Sequence, residues 1–289
     1  MKIPRGLVGA TVGPLTQEID ARWLMAYAAG LGETDPAYLD TRRPGGLVAH
    51  PLFPVSYEWP LAVESRARQL GDEIALRGVH ATHDLTLHRP ARAGERLTTT
   101  ATVVAVAPRR AGAYVLTRYE TRDTLGERVS TTDYGSVYLG VDCEPDGAPP
   151  SAPWERGRAS RDELRPEWSE EIPIAATLAH VYSECARIWN PIHTDRAVAH
   201  AAGLPDIILH GTATLALAVS AVLSHAPAAS ARSVRRISCR FSGMVRLPST
   251  ITVRGGKPSE HDDGNVVRFQ VLDVDGRPAV TQGAVILAR

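Results

Sequence analysis

The sequence has little cysteine, lysine or net charge and no long apolar run, and each shortage excludes a class of protein. Its three cysteines, Cys143, Cys185 and Cys239, stand far apart with no Cys-x-x-Cys pair. That argues against a disulfide scaffold or a zinc ribbon and fits a reducing, cytoplasmic setting. Lys2 and Lys257 are the only lysines, so nearly all positive charge is arginine; with the richness in Ala, Gly and Pro, this reflects GC-rich coding rather than arginine chemistry. Lys+Arg and Asp+Glu both number 32, and with no net charge there is no bulk field to hold the chain on nucleic acid or an anionic membrane. The opening MKIPRGLVGATVG lacks a signal-peptide core, and no stretch approaches the roughly 20 apolar residues of a membrane span. We therefore expect a soluble protein with no nucleic-acid or membrane partner.

What is present is enough chain, 289 residues with 44% hydrophobic, for one large core or two domains. Between 142 and 170, Pro, Gly, Ser and charge displace the apolar pattern, which predicts a linker or an edge-wrapping crossover and divides the chain into 1–141 and 171–289. The two parts are faintly alike. Gly32 to Asp40 (GETDPAYLD) matches Arg187 to Asp195 (RIWNPIHTD), with Pro36 and Asp40 recurring 155 positions later as Pro191 and Asp195.

A long helix candidate follows each nonapeptide, at 54–70 and at 207–224. Pro60 predicts a kink or a shortening in the first, and the second, apolar nearly all round, calls for burial. Strand candidates then follow at 83–88, 97–106, 113–122 and 129–141, and again at 235–242, 249–254, 265–273 and 279–287. They are rich in β-formers and separated by turn signals such as HisAspAspGly. Strands grouped after a helix, rather than alternating with helices, predict an α+β class.

Polar functional groups are densest from Tyr182 to Gly211. Asn190-Pro191 is a turn signal that puts Asn190 and His193 on a tight loop. His210-Gly211 falls near the start of the buried helix, where unpaired N–H groups can accept an oxyanion. Asn190-Pro191-Ile192-His193-Thr194-Asp195, then Ala201 to Leu204, then Ile208-Leu209-His210-Gly211 resemble the MaoC-like, R-specific enoyl-CoA hydratase/dehydratase family. Phe241 to Pro248 is similar to a later segment of that family, and the first half resembles the degenerate copy of its tandem members.

The resemblance implies a double hot dog: two long helices, each wrapped by a curved antiparallel sheet, the sheets joined edge to edge. It also implies a hydro-lyase acting on acyl thioesters, with His193, Asn190 and Gly211 catalytic. Ile188, Ile208, His210 and Thr212 would lie around the substrate, and Arg246 would meet a CoA phosphate. No cofactor or metal is implied, and the spacing of His193, His200 and His210 fits no zinc pattern. The partner would be an acyl thioester, on CoA or a carrier protein, and the assembly a homodimer or a pair with another hot dog chain.

One departure matters. The family's Gly-Asp-x-Asn-Pro-x-His carries an acid that corresponds here to Ile188, and its Gly to Arg187. Dehydration needs a base beside the carbonyl, a donor for the leaving hydroxyl and stabilisation of the enolate, and Ile188 cannot move a proton. Glu184, one turn before Ile188 if the helix continues, and Tyr182 are candidate substitutes. Glu33 occupies the equivalent position in the first half, where Tyr38 stands in place of the histidine. Three expectations stay open: a hydratase or dehydratase; an isomerase, cyclase or C–C lyase that needs only one base; and a non-catalytic acyl-binding or partner subunit.

Overall fold

From Leu97 to Ala105 every second residue is buried, so this segment presents one face to a core and one to solvent, as a pleated strand must. The same logic builds eleven strands in the computed structural model, which describes residues 1–147, 164–226 and 229–288. The first half runs β1 (Thr11–Ile19), α1 (Ala21–Gly30), α2 (Pro36–Leu39), α3 (Pro54–Leu70), α4 (Asp72–Ala75), β2 (Gly78–Leu87), β3 (Glu95–Arg109), β4 (Gly112–Arg122) and β5 (Arg128–Leu139). The second runs β6 (Trp168–Ile174), α5 (Leu178–Ala186), a 3₁₀ turn at Pro191–His193, α6 (Arg196–Ala201), α7 (Gly211–Ser224), β7 (Val234–Phe241), β8 (Ser249–Gly255), β9 (Ser259–His261), β10 (Gly264–Leu272) and β11 (Pro278–Leu287).

All strands join one antiparallel sheet in the order β1-β3-β4-β5-β2-β7-β11-β10-β8-β6, with β9 on β10. Followed outward from the central β2–β7 pair, each half lays down its strands in the same succession, so the duplication faint in sequence is plain in topology. The architecture is an α+β double hot dog. α7 packs on β8, β10 and β11, and α3 on β1 and β3. The halves meet in register from Thr82↔Arg240 to Thr86↔Arg236, and the Arg236 guanidinium clamps Asp84 through two bonds of 2.7 Å.

The helices meet across the same join. Tyr27 and Tyr182, 155 residues apart, share a hydroxyl–hydroxyl bond of 3.3 Å between α1 and α5. A Cβ added to Gly30 would lie 2.7 Å from the Cβ of Cys185, so the helices touch there without a side chain between them.

Three expectations are corrected. The shortening of α3 does not occur: the helix runs its full 17 residues with Pro60 inside, so the proline costs a hydrogen bond to the Ser56 carbonyl without ending the helix. α7 starts at Gly211 rather than 207, because Leu209 N–H bonds the Val245 carbonyl and Ile208 bridges Arg246. The expected linker is narrower, since β6 begins at Trp168 and pairs with β8; residues 148–163 lie outside the described residues. Among the described residues, no helix is long and apolar enough to cross a membrane.

The close approach at Gly30 generates a prediction. Gly30→Val forces α1 from α5 and should lower stability by about 1–3 kcal/mol, the usual range for overpacking. Urea denaturation measures it, and an unchanged midpoint would contradict the packing described.

Candidate active site

Asn190-Pro191 breaks the chain after α5, and the 3₁₀ turn that follows delivers His193 to the wall of a cavity of about 360 Å³. His193 is 8% exposed. Its Nδ1 lies 2.8 Å from the Ile208 carbonyl oxygen, which can only accept, so Nδ1 carries the proton and Nε2 keeps a free lone pair. Burial holds the imidazole down to about 4, so it is neutral at ordinary pH. His210 stacks on it with ring centres 3.7 Å apart, and His210 Nε2 pairs with the Ser183 hydroxyl at 3.1 Å.

Gly211 opens α7 directly behind His210, and no side chain caps this helix. Its first-turn N–H groups are therefore open to an incoming oxygen. A Cβ at Gly211 would stand 3.2 Å from the Phe241 ring, so a residue without a side chain is what lets the aromatic ring close over the helix start.

The structure brings Ile188, Asn190, His193, Ile208, His210, Gly211 and Thr212 together on this cavity. Asn190 makes no side-chain cap to its own turn, which leaves its amide on the wall. Three other residues fall elsewhere. Glu184 is exposed and off the cavity, because α5 ends at Ala186 and the left-handed Arg187 (φ 56°) turns Ile188 away from the helix face that Glu184 occupies. Arg187, at the family's glycine position, is held in that conformation by stacking on Trp23 at 4.1 Å and by Asp20 at 3.6 Å. Tyr182 is buried, its hydroxyl tied to Thr212 and Tyr27, and burial pushes it up to about 12; it reaches the cavity only through Thr212. Arg246 pairs with Asp275 at 2.7 Å, outside the lining.

Glu33 belongs to a different hollow, with Tyr38 and Ser220. It accepts a short hydrogen bond from the Ser220 hydroxyl. His50 Nδ1 accepts from Leu52 N–H, so its Nε2–H donates to Ser220 over 3.2 Å. This is a chain of donors that ends on the Glu33 carboxyl.

The opposite wall is what the local pattern missed. Val55, Glu58, Trp59, Ala62 and Arg66 form a stripe along α3, and His80, Tyr119 and Tyr134 complete it from the sheet. Their helical spacing was legible, but nothing local says which distant loop the stripe faces. Arg66 stacks over Trp59 at 5.0 Å, and its Nη2 is buried without a partner. His80 lies flat on Tyr134 at 3.7 Å. Among the described residues, no group of three metal-ligating side chains is assembled.

A double hot dog with a histidine loop beside a helix start defines the class. Two family profiles match, one described as "MaoC like domain" over residues 162–275 and one as "FAS1-like, dehydratase domain region" over 6–132. The chain belongs to the MaoC-like dehydratase family. It is 33% identical over 138 residues to a "UPF0336 protein" of Streptomyces griseus, covering 45% of this chain and 91% of that one. It is 31% identical over 116 residues to "Enoyl-CoA hydratase ChsH3" of Mycobacterium tuberculosis, covering 39% of this chain and 40% of that one. The MaoC-like dehydratase from Phytophthora capsici superposes with a TM-score of 0.80 at 22% identity, over 98% of this chain and 96% of that one.

The buried histidines predict how stability follows pH. His193 and His83 are held at about 4 and His50 at about 3, all by burial, so the unfolded chain binds more protons than the folded one below about 6.5. Their contribution is complete above that value and is lost as pH falls towards 4. Glu58, raised to about 8, acts in the opposite sense and loses stability as pH rises through neutrality. His83 is fully buried with neither ring nitrogen paired, so His83→Leu should narrow the gap in melting temperature between pH 7 and pH 5. An unchanged gap would show that His83 does not stay neutral in the fold.

Proposed function

We propose that the protein adds water to trans-2-enoyl thioesters, or removes it from 3-hydroxyacyl thioesters. The observation that carries this is the free Nε2 of His193 on the wall of a largely apolar cavity, beside the uncapped start of α7. In the dehydration direction, Nε2 takes the proton from C2, and the Gly211 N–H receives the thioester oxygen as it becomes an enolate. Asn190 lines the approach, and Ile188, Ile208 and Thr212 surround the reacting carbons. The substrate arrives on CoA or on a carrier protein. The relative named as an enoyl-CoA hydratase supports this class of reaction.

Ile188 favours a second reading. Its apolar side chain, 4% exposed on the cavity wall, suits an isomerase, cyclase or C–C lyase that uses His193 and the Gly211 N–H alone. Product analysis separates the two, since only hydration consumes the conjugated double bond and adds the mass of water.

Short and medium-chain trans-2-enoyl-CoAs mixed with purified protein should lose their conjugated thioester absorbance. His193→Ala should slow this by about 10²–10⁴-fold, the usual worth of a positioned base. Equal rates for the two proteins would end the proposal.

A further inference from the structure

Hydration and its reverse require a second proton-transfer group, and Ile188 cannot supply it. Glu184 and Glu33 lie off the cavity, and Tyr182 stands behind Thr212. One carboxyl does line the cavity, and it comes from the other half of the chain. Glu58, on α3, lines the same cavity as His193 and is the only acidic residue among the described residues that do so. It is 3% exposed.

Its surroundings determine which oxygen is available. The Thr132 hydroxyl donates to Oε1 at 2.7 Å, while Oε2 has no hydrogen-bond partner among the described residues. No arginine or lysine pairs with Glu58 among the described residues, so burial raises the carboxyl to about 8 and it is protonated at neutral pH. With Oε1 acting as the carbonyl that Thr132 satisfies, the acidic proton resides on Oε2. An unpaired buried carboxyl is costly where only packing is needed, and an apolar residue would fill that place at less cost.

Two other groups on this wall are less suited. His80 is neutral, and its Nε2 is engaged by the Thr82 carbonyl at 3.1 Å. Tyr134 stacks against His80, and burial raises its phenol further from neutrality.

We propose that Glu58, from the N-terminal half, is the proton donor that replaces the family's aspartate, acting across the cavity from His193. The active site is then composite, with base and oxyanion site from one half and acid from the other. This rests on the hydratase reading above. In dehydration, His193 Nε2 removes the C2 proton, and the electron pair moves into the enolate held at Gly211. The enolate re-forms the carbonyl, C2=C3 forms, and the C3–O bond breaks as Oε2–H protonates the leaving hydroxyl to water. Glu58 is left as carboxylate and His193 as imidazolium. Transfer of that proton back through solvent resets both.

The test compares wild type, His193→Ala, Glu58→Gln and the double variant Glu58→Gln/Ile188→Asp in two assays. One follows hydration of a trans-2-enoyl-CoA. The other follows deuterium uptake at C2 of a 3-hydroxyacyl-CoA in D₂O, which needs the base and the oxyanion site but no donor to the leaving group. Glu58→Gln should hydrate about 10²–10⁴-fold more slowly with unchanged KM, yet still exchange at C2, whereas His193→Ala should lose both activities. Returning a carboxyl at 188 should restore part of the lost hydration. If Glu58→Gln lowers the melting temperature, Glu58→Asp, which keeps the acid but withdraws it by one methylene, should show the same split. Hydration unchanged in Glu58→Gln overturns the donor role and leaves the hydratase reading standing. Loss of exchange together with hydration in a folded Glu58→Gln also overturns it, placing Glu58 in binding instead. Wild type inactive in both assays overturns the hydratase reading and this assignment with it.

Discussion

The backbone pairing of β2 with β7 is the constraint on which the rest depends. It makes two sheets into one, and it sets α3 and the first residues of β2 opposite the His193 loop and the start of α7. Phe241, where β7 ends, touches both sides: its ring lies 4.5 Å from His80 and closes over Gly211. The Asp84–Arg236 clamp fixes the register of the join. A slip of one residue would exchange inward for outward side chains along both strands and dismantle the cavity.

Enclosure has a chemical cost and a chemical return. Burial leaves His193 neutral but weakly basic, at about 4. The same exclusion of water strengthens every dipole aimed into the cavity, so under the proposed reaction the α7 N–H groups would meet an enolate with little screening. Burial also separates the two walls in protonation: an unprotonated base on one side and a protonated carboxyl on the other. Environments that drive two titratable groups apart are how acid and base roles are divided within one pocket.

Much of this was legible in the chain. Eight of the strands announced themselves through Thr- and Val-rich alternation between turn signals, and α3 through its length. β1 and β6 did not, because they are the outermost strands of the sheet and tolerate the Gly-Pro of TVGPLTQEI and the charge of WSEEIPI. The wall from Ile188 to Thr212 was readable because it lies almost wholly within the thirty consecutive positions from Tyr182 to Gly211, which carry a recognisable spacing. Glu58 was not, since its relation to His193 exists only after the two halves join. Glu184 was misplaced for a local reason: the left-handed turn at Arg187 ends the helix that would have aimed it.

The Tyr27–Tyr182 contact marks where two copies of one pattern face each other. In a homodimer of single hot dogs, any change on the helix wall appears twice, once in each cavity, and must be tolerated in both. Fusion into one polypeptide removes that coupling. Here the two hollows have diverged: one links a glutamate, a histidine and a serine in a single hydrogen-bonded chain, and the other keeps a histidine nitrogen and a carboxyl oxygen facing the cavity. Covalent linkage thus lets one half of the molecule serve as a wall of the other half's cavity, a specialisation that symmetry would forbid.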